Sequence, residues 1–154
     1  MGAEVTMTGG CMCGAVRYVT KGDPFIVGHC QCESCRKHCG AAVGTLVGFK
    51  VDQVTFNGDQ RKIYESSPEV GRAFCGKCGT PLTWEGDGGD IGPIVEIHIG
   101  TFDNPHALVP TSHAFYNERL PWIDKADQLP RFEGFPGDSP ILQYGPSSGS
   151  LPET

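Results

Sequence analysis

Phe74-Cys75-Gly76-Lys77-Cys78-Gly79-Thr80-Pro81-Leu82 sets two cysteines three positions apart and follows them with glycine. A turn of this kind brings both sulfurs to one side, and glycine admits the backbone conformation needed beyond it. Two thiols supply only half of a tetrahedral structural zinc site, so the stretch calls for a second pair. The nearest pair of similar form is Cys11-Met12-Cys13, flanked by Gly9-Gly10 and Gly14. Joining Cys11, Cys13, Cys75 and Cys78 closes a site of four thiolates and pins the first strand to the middle of the domain.

The remaining cysteines form another pattern. Cys30-Gln31-Cys32-Glu33-Ser34-Cys35 packs three thiols into six residues, with Cys39 trailing. Three protein ligands and one exchangeable position is how a catalytic zinc is built. Closure of that fourth position by Cys39, His29 or His38 is the rival arrangement, giving a second structural site or a redox switch. Eight cysteines with no secretory signal point to metal or thiol chemistry in a reducing cytoplasm rather than to a disulfide frame.

Length and composition agree with one ordinary domain of 154 residues. The 22 glycines and 12 prolines are scattered, as expected of short strands joined by tight turns. A net charge of −6 argues against nucleic acid as a partner. No apolar run is long enough to span a membrane. Strand signatures fall at Ala15–Thr20, Ala42–Val47, Val51–Phe56, Lys62–Glu65, Arg72–Phe74, Pro81–Trp84 and Ile94–Ile99. In the last of these Val95, Ile97 and Ile99 share one face, while Ile94, Glu96 and His98 share the other. Helical turns are expected at Ser34–His38 and Trp122–Gln128 only. The domain is placed at 8–136, after a lead-in at 1–7. An extension at 137–146 and a flexible tail at 147–154 follow. That tail ends in Leu-Pro-Glu-Thr, like the stub of a sortase tag.

Three blocks carry a family resemblance: Gly10-Cys-Met-Cys-Gly-Ala-Val-Arg-Tyr18, His29-Cys-Gln-Cys-Glu-Ser-Cys-Arg-Lys37 and Phe74-Cys-Gly-Lys-Cys-Gly-Thr-Pro-Leu82. They resemble the signature blocks of the glutathione-dependent formaldehyde-activating family, which includes S-hydroxymethylglutathione synthase-like and centromere protein V-like chains. Gly100-Thr-Phe-Asp-Asn-Pro105, Pro110, His113, Trp122 and Leu129-Pro130 look like its C-terminal half. The resemblance spans Thr8 to Pro136. It implies an all-β, Mss4-like (β-tent) fold of twisted antiparallel sheets pinned by zinc. It implies two zinc ions, a structural one on Cys11, Cys13, Cys75 and Cys78 and a catalytic one on Cys30, Cys32 and Cys35. Cys39 departs from the family pattern and stands as a candidate fourth ligand to the second ion.

The implied activity is that of a carbon–sulfur lyase acting on glutathione or another small thiol adduct, with glutathione as co-substrate. His113, Tyr116 and His98, in that order, are the acid–base candidates. His29 is expected to orient a ligand rather than to be one. Arg36, Lys37 and Arg72 are candidates for holding the carboxylates of a glutathione-like substrate. Trp84, Phe115 and Trp122 are expected in the core or on a pocket wall. A non-catalytic zinc scaffold and a thiol redox or metal-responsive protein are the competing functions. The assembly is expected to be a monomer or homodimer.

Overall fold

Alternation of small β-branched and polar residues, broken by glycine, gives ten strands and one α-helix among the described residues. The structure is a computed structural model and describes residues 4–123 and 125–131. The chain divides into two units, Met1–Ile123 and Asp124–Thr154. The first carries every element discussed here. In the second, an Arg131–Asp127 ion pair of 3.2 Å and an Asp127 cap on the Leu129 amide are local contacts. The expected extension and tail beyond residue 136 lie outside the described residues.

Strands β1 (Thr6–Gly10), β2 (Arg17–Lys21) and β5 (Val54–Asn57) form a three-stranded antiparallel sheet in the order β1-β2-β5. The larger sheet has seven strands. These are β3 (Ile26–Cys30), β4 (Gly44–Lys50), β6 (Arg61–Ser67), β7 (Val70–Cys75), β8 (Pro81–Asp87), β9 (Pro93–His98) and β10 (His113–Ala114). Their order is β10-β3-β4-β9-β8-β7-β6. Every pairing is antiparallel except the short β10–β3 ladder, which is parallel. Helix α1 (Glu33–Cys39) covers the expected Ser34–His38. The all-β, Mss4-like architecture is the one expected, with five short 3-10 turns added. No helix at Trp122–Gln128 forms among the described residues: Pro121–Ile123 is a turn, and 125–131 has no regular structure. No described helix is long and apolar enough to cross a membrane.

The two faces of the large sheet have different tasks. Val47, Phe49, Val95 and Ile97 are fully or almost fully buried in a core with Tyr18 and Phe102, against which Met7, Val54 and Phe56 pack. Tyr18 meets Phe56 and Phe102 edge-on, and its hydroxyl lies 2.9 Å from Thr101 Oγ1. Gly9 allows this approach. A Cβ there would fall 2.2 Å from the Tyr18 hydroxyl and 2.4 Å from the Thr101 carbonyl. The face of β9 carrying Ile94, Glu96 and His98 looks the other way, towards α1 and a cavity.

Candidate functional site

The two knuckles are built alike. Gly14 donates its amide to the Cys11 carbonyl at 3.1 Å, and Gly79 donates to the Cys75 carbonyl at 2.8 Å, each glycine at positive φ. The result gathers Cys11, Cys13, Cys75 and Cys78, whose sulfurs all lie within 4.8 Å of one another. Sulfur separations of 3.6 Å (Cys11–Cys13) and 3.8 Å (Cys13–Cys75) match the roughly 3.8 Å edge of a tetrahedron with about 2.3 Å metal–sulfur bonds. Around them the Val16 amide lies 3.2 Å from Cys11 Sγ, and Thr80 Oγ1 lies 3.1 Å from Cys78 Sγ. This donor set fits a soft, four-coordinate metal ion and ties β1–β2 to β7–β8.

Cys30 ends β3, and Cys32 and Cys35 start α1, so a tight corner sets their thiols together within 4.8 Å. Cys30 and Cys32 sulfurs are 3.5 Å apart. Cys32 Sγ also serves as the helix cap, accepting the Cys35 amide at 3.3 Å. Arg72, from β7, points its Nη1 at Cys35 Sγ over 3.6 Å. The Cys35 thiol is held well below its ordinary range, first by the hydrogen bond from Cys30 and then by Arg72.

Cys39 is not part of this cluster. Its thiol faces the Arg36 and Val43 carbonyls at 3.7 and 3.9 Å, because one further turn of α1 carries it about 6 Å along the helix axis from Cys35. His29 and His38 are outside the ligand group as well. His29 Nδ1 is 2.9 Å from Thr45 Oγ1, and its ring packs on His113 at 4.8 Å. Burial, with His113 adding to it, lowers its basicity. His38 packs on His98 at 5.2 Å.

The trio opens on a cavity of about 640 Å³. Its walls include Leu46, Trp84 and Ile94 from the sheet, Arg72 and Glu96 beside them, and Phe115 at the rim. Phe115 sits at φ 52°, uncommon for an aromatic residue, immediately after β10. Glu96 was recognised in the sequence only as a face-mate of His98. It is half-buried on the cavity wall, and burial, then the Cys35 charge, raises its carboxyl above the usual range.

The expected acid–base residues lie off this wall. Ser112 and Ala114 line the cavity, and strand alternation turns His113 between them to the other side, with Nδ1 3.2 Å from Gln31 Nε2. Tyr116 is partly exposed and meets His113 edge-on at 5.7 Å. His98 is buried under α1, and desolvation first, then His38 and Arg72, lowers its pKa to about 4. Of the expected carboxylate-binding cations only Arg72 lines the cavity. Arg36 donates to the Gln31 and Glu118 carbonyls, and Lys37 pairs with Glu33 at 2.6 Å. Both line a separate shallow cleft beside Leu120 and Trp122.

Residues 6–118 match the family model described as "Glutathione-dependent formaldehyde-activating enzyme". Among solved structures, a Rhodobacter sphaeroides protein from a structural-genomics programme superposes with a TM-score of 0.53 at 17% identity, covering 70% of this chain and 100% of its own. That likeness is one of fold. No curated protein matches the chain in sequence. With its three cysteine blocks inside the matched span and the blocks gathered into two thiol clusters, the chain belongs to the glutathione-dependent formaldehyde-activating enzyme family.

Proposed function

We propose that this protein is a zinc-dependent carbon–sulfur lyase that makes and breaks the bond between a small thiol and an aldehyde carbon. One observation carries the reading: three thiols gathered at the mouth of a cavity, with the nearby Cys39 turned away from them. Cys30, Cys32 and Cys35 would hold the ion, which would supply a soft Lewis acid that favours the ionised form of an arriving thiol. Cys11, Cys13, Cys75 and Cys78 would hold a second ion with a purely structural task.

In the bond-making direction the thiol sulfur attacks the aldehyde carbon, and the carbonyl π pair moves onto oxygen. That oxygen takes up the proton the thiol gave up, so the reaction is redox-neutral. Reversal breaks the carbon–sulfur bond and returns the proton to sulfur. His29, paired with His113 and Thr45 on the face of β3 turned from the cavity, braces the strand end that carries Cys30. Trp84, Ile94 and Leu46 keep water from the reacting carbon. Arg72 offsets the charge of the thiolate cluster. Eight free thiols suit a reducing compartment, and we place the protein in the cytoplasm.

The test is Cys32→Ser, assayed for turnover of a thiol–formaldehyde adduct alongside metal content and circular dichroism. Loss of turnover and of about one metal equivalent, in a folded protein, supports the assignment. Wild-type turnover in that variant overturns it.

A further inference from the structure

The charges on the cavity wall narrow the substrate class. Arg72, Trp84 and Glu96 are direct cross-strand neighbours on β7, β8 and β9, with Arg72 opposite Trp84 and Trp84 opposite Glu96. Side chains in such a row share a face and touch their neighbours. All three line the cavity that the thiol trio opens on.

Arg72 is already engaged. It is buried, with Nη1 on Cys35 Sγ and Nε donating to Ser66 Oγ at 3.1 Å. Among the described residues no other arginine or lysine lines this cavity. The carboxylates that line it are Glu33, Glu96 and Glu118. Glu33 is paired with Lys37, and Glu118 accepts the Glu33 amide at 3.2 Å. Glu96 has no hydrogen-bond or ion-pair partner among the described residues, and it is half-buried opposite Trp84 in the strand ladder. A desolvated carboxyl without a partner is costly, and a cation set against it removes that cost. Trp84, opposite it in the ladder and on the same cavity wall, adds a second surface that attracts cations.

We propose that the thiol substrate of this site carries an ammonium group, seated between Glu96 and Trp84, and no carboxylate: a small aminothiol, or its aldehyde adduct. The proposal rests on the thiol-binding reading of the Cys30, Cys32 and Cys35 cluster given above. Glutathione also carries an ammonium, but it brings two carboxylates with it, and on this wall they meet Glu96, a thiolate cluster and a guanidinium already in use. An aminothiol meets a carboxylate in need of a positive partner.

The experiment titrates cobalt-loaded protein with cysteamine, N-acetylcysteamine, 3-mercaptopropionate and glutathione, reading the sulfur-to-cobalt absorption band. Cysteamine should bind at least about tenfold more tightly than the other three, as expected of a charge-assisted contact. Acetylation removes the charge but adds an acetyl group, so a Glu96 variant is needed to separate loss of charge from added bulk. Glu96→Gln should abolish the preference while 3-mercaptopropionate binds no worse than before. Equal or tighter binding of glutathione or 3-mercaptopropionate overturns the aminothiol class and leaves thiol binding intact. An absorption band that none of the four thiols perturbs overturns the thiol-binding reading, and this inference with it.

Discussion

Arg72 Nη1 lies 3.6 Å from Cys35 Sγ, so a guanidinium on β7 meets a thiol on α1 across 37 residues of chain. A partner that hydrogen-bonds a ligand sulfur steadies its charge and its direction, and removing such a partner costs a site about 10- to 100-fold in metal affinity. Arg72→Gln should lower affinity at the trio by about that factor and leave the quartet unchanged, as measured by chelator competition. Arg72→Lys should recover only part of the loss, because a single ammonium cannot hold both Cys35 and Ser66. Unchanged affinity in Arg72→Gln would remove Arg72 from this role.

The two thiol clusters should respond differently to loss of one ligand. Cys75 is fully buried and joins the knuckle on β7–β8 to the one beside β1. Cys75→Ser should give a protein that is largely unfolded, since a structural zinc site contributes folding energy directly. Circular dichroism and metal analysis on Cys75→Ser beside Cys32→Ser make the comparison. Equal stability of the two variants would contradict the division into structural and reactive sites.

Gly9→Ala should destabilise by about 2 kcal/mol or more, because overpacking at a fixed backbone site has few ways to relax. The added methyl meets both the Tyr18 hydroxyl and the Thr101 carbonyl. Adding Tyr18→Phe should therefore fail to rescue it, since the carbonyl belongs to the backbone. Urea denaturation of the single and double variants decides the point; full rescue would mean that the side chain alone sets the clash.

His98 makes stability sensitive to acid. Its folded pKa of about 4 lies below the ordinary 6.5, with burial the first cause and His38 and Arg72 adding to it. As pH falls below 6.5 the unfolded chain takes up this proton first, so stability present above pH 6.5 drains away until about pH 4. The group accounts for up to about 3 kcal/mol over that window. His98→Gln should lose less stability than wild type between pH 7.5 and 5 in urea titrations. Parallel curves for the two proteins would show that the histidine titrates normally.

The thiol clusters were legible in the sequence because each rests on a local turn. Cys75-Gly-Lys-Cys78-Gly79 and Cys11-Met-Cys13-Gly14 announce their geometry within five residues, and one metal's need for four ligands then joins them. The inner strands were legible too, since β-branched residues such as Val95 and Ile97 alternate with Glu96. Strand β3 was missed because Gly28 interrupts its pattern, and β10 because two residues carry no period. Arg36 and Lys37 looked right for substrate because they follow Cys35 in the chain. A helix turns about 100° per residue, which carries both away from the thiols and into another cleft. Glu96 was hidden for the opposite reason: only the order of strands β7, β8 and β9 places it in a row with Arg72 and Trp84. Alternation tells which residues share a face, and not what that face overlooks.

One sulfur, Cys32 Sγ, both closes the first turn of α1 and belongs to the thiol trio on the cavity. Alkylating it would therefore uncap a helix as well as block a centre. A loss of helical signal accompanying inhibition by a thiol reagent would be a local event at this corner, and need not report collapse of the fold.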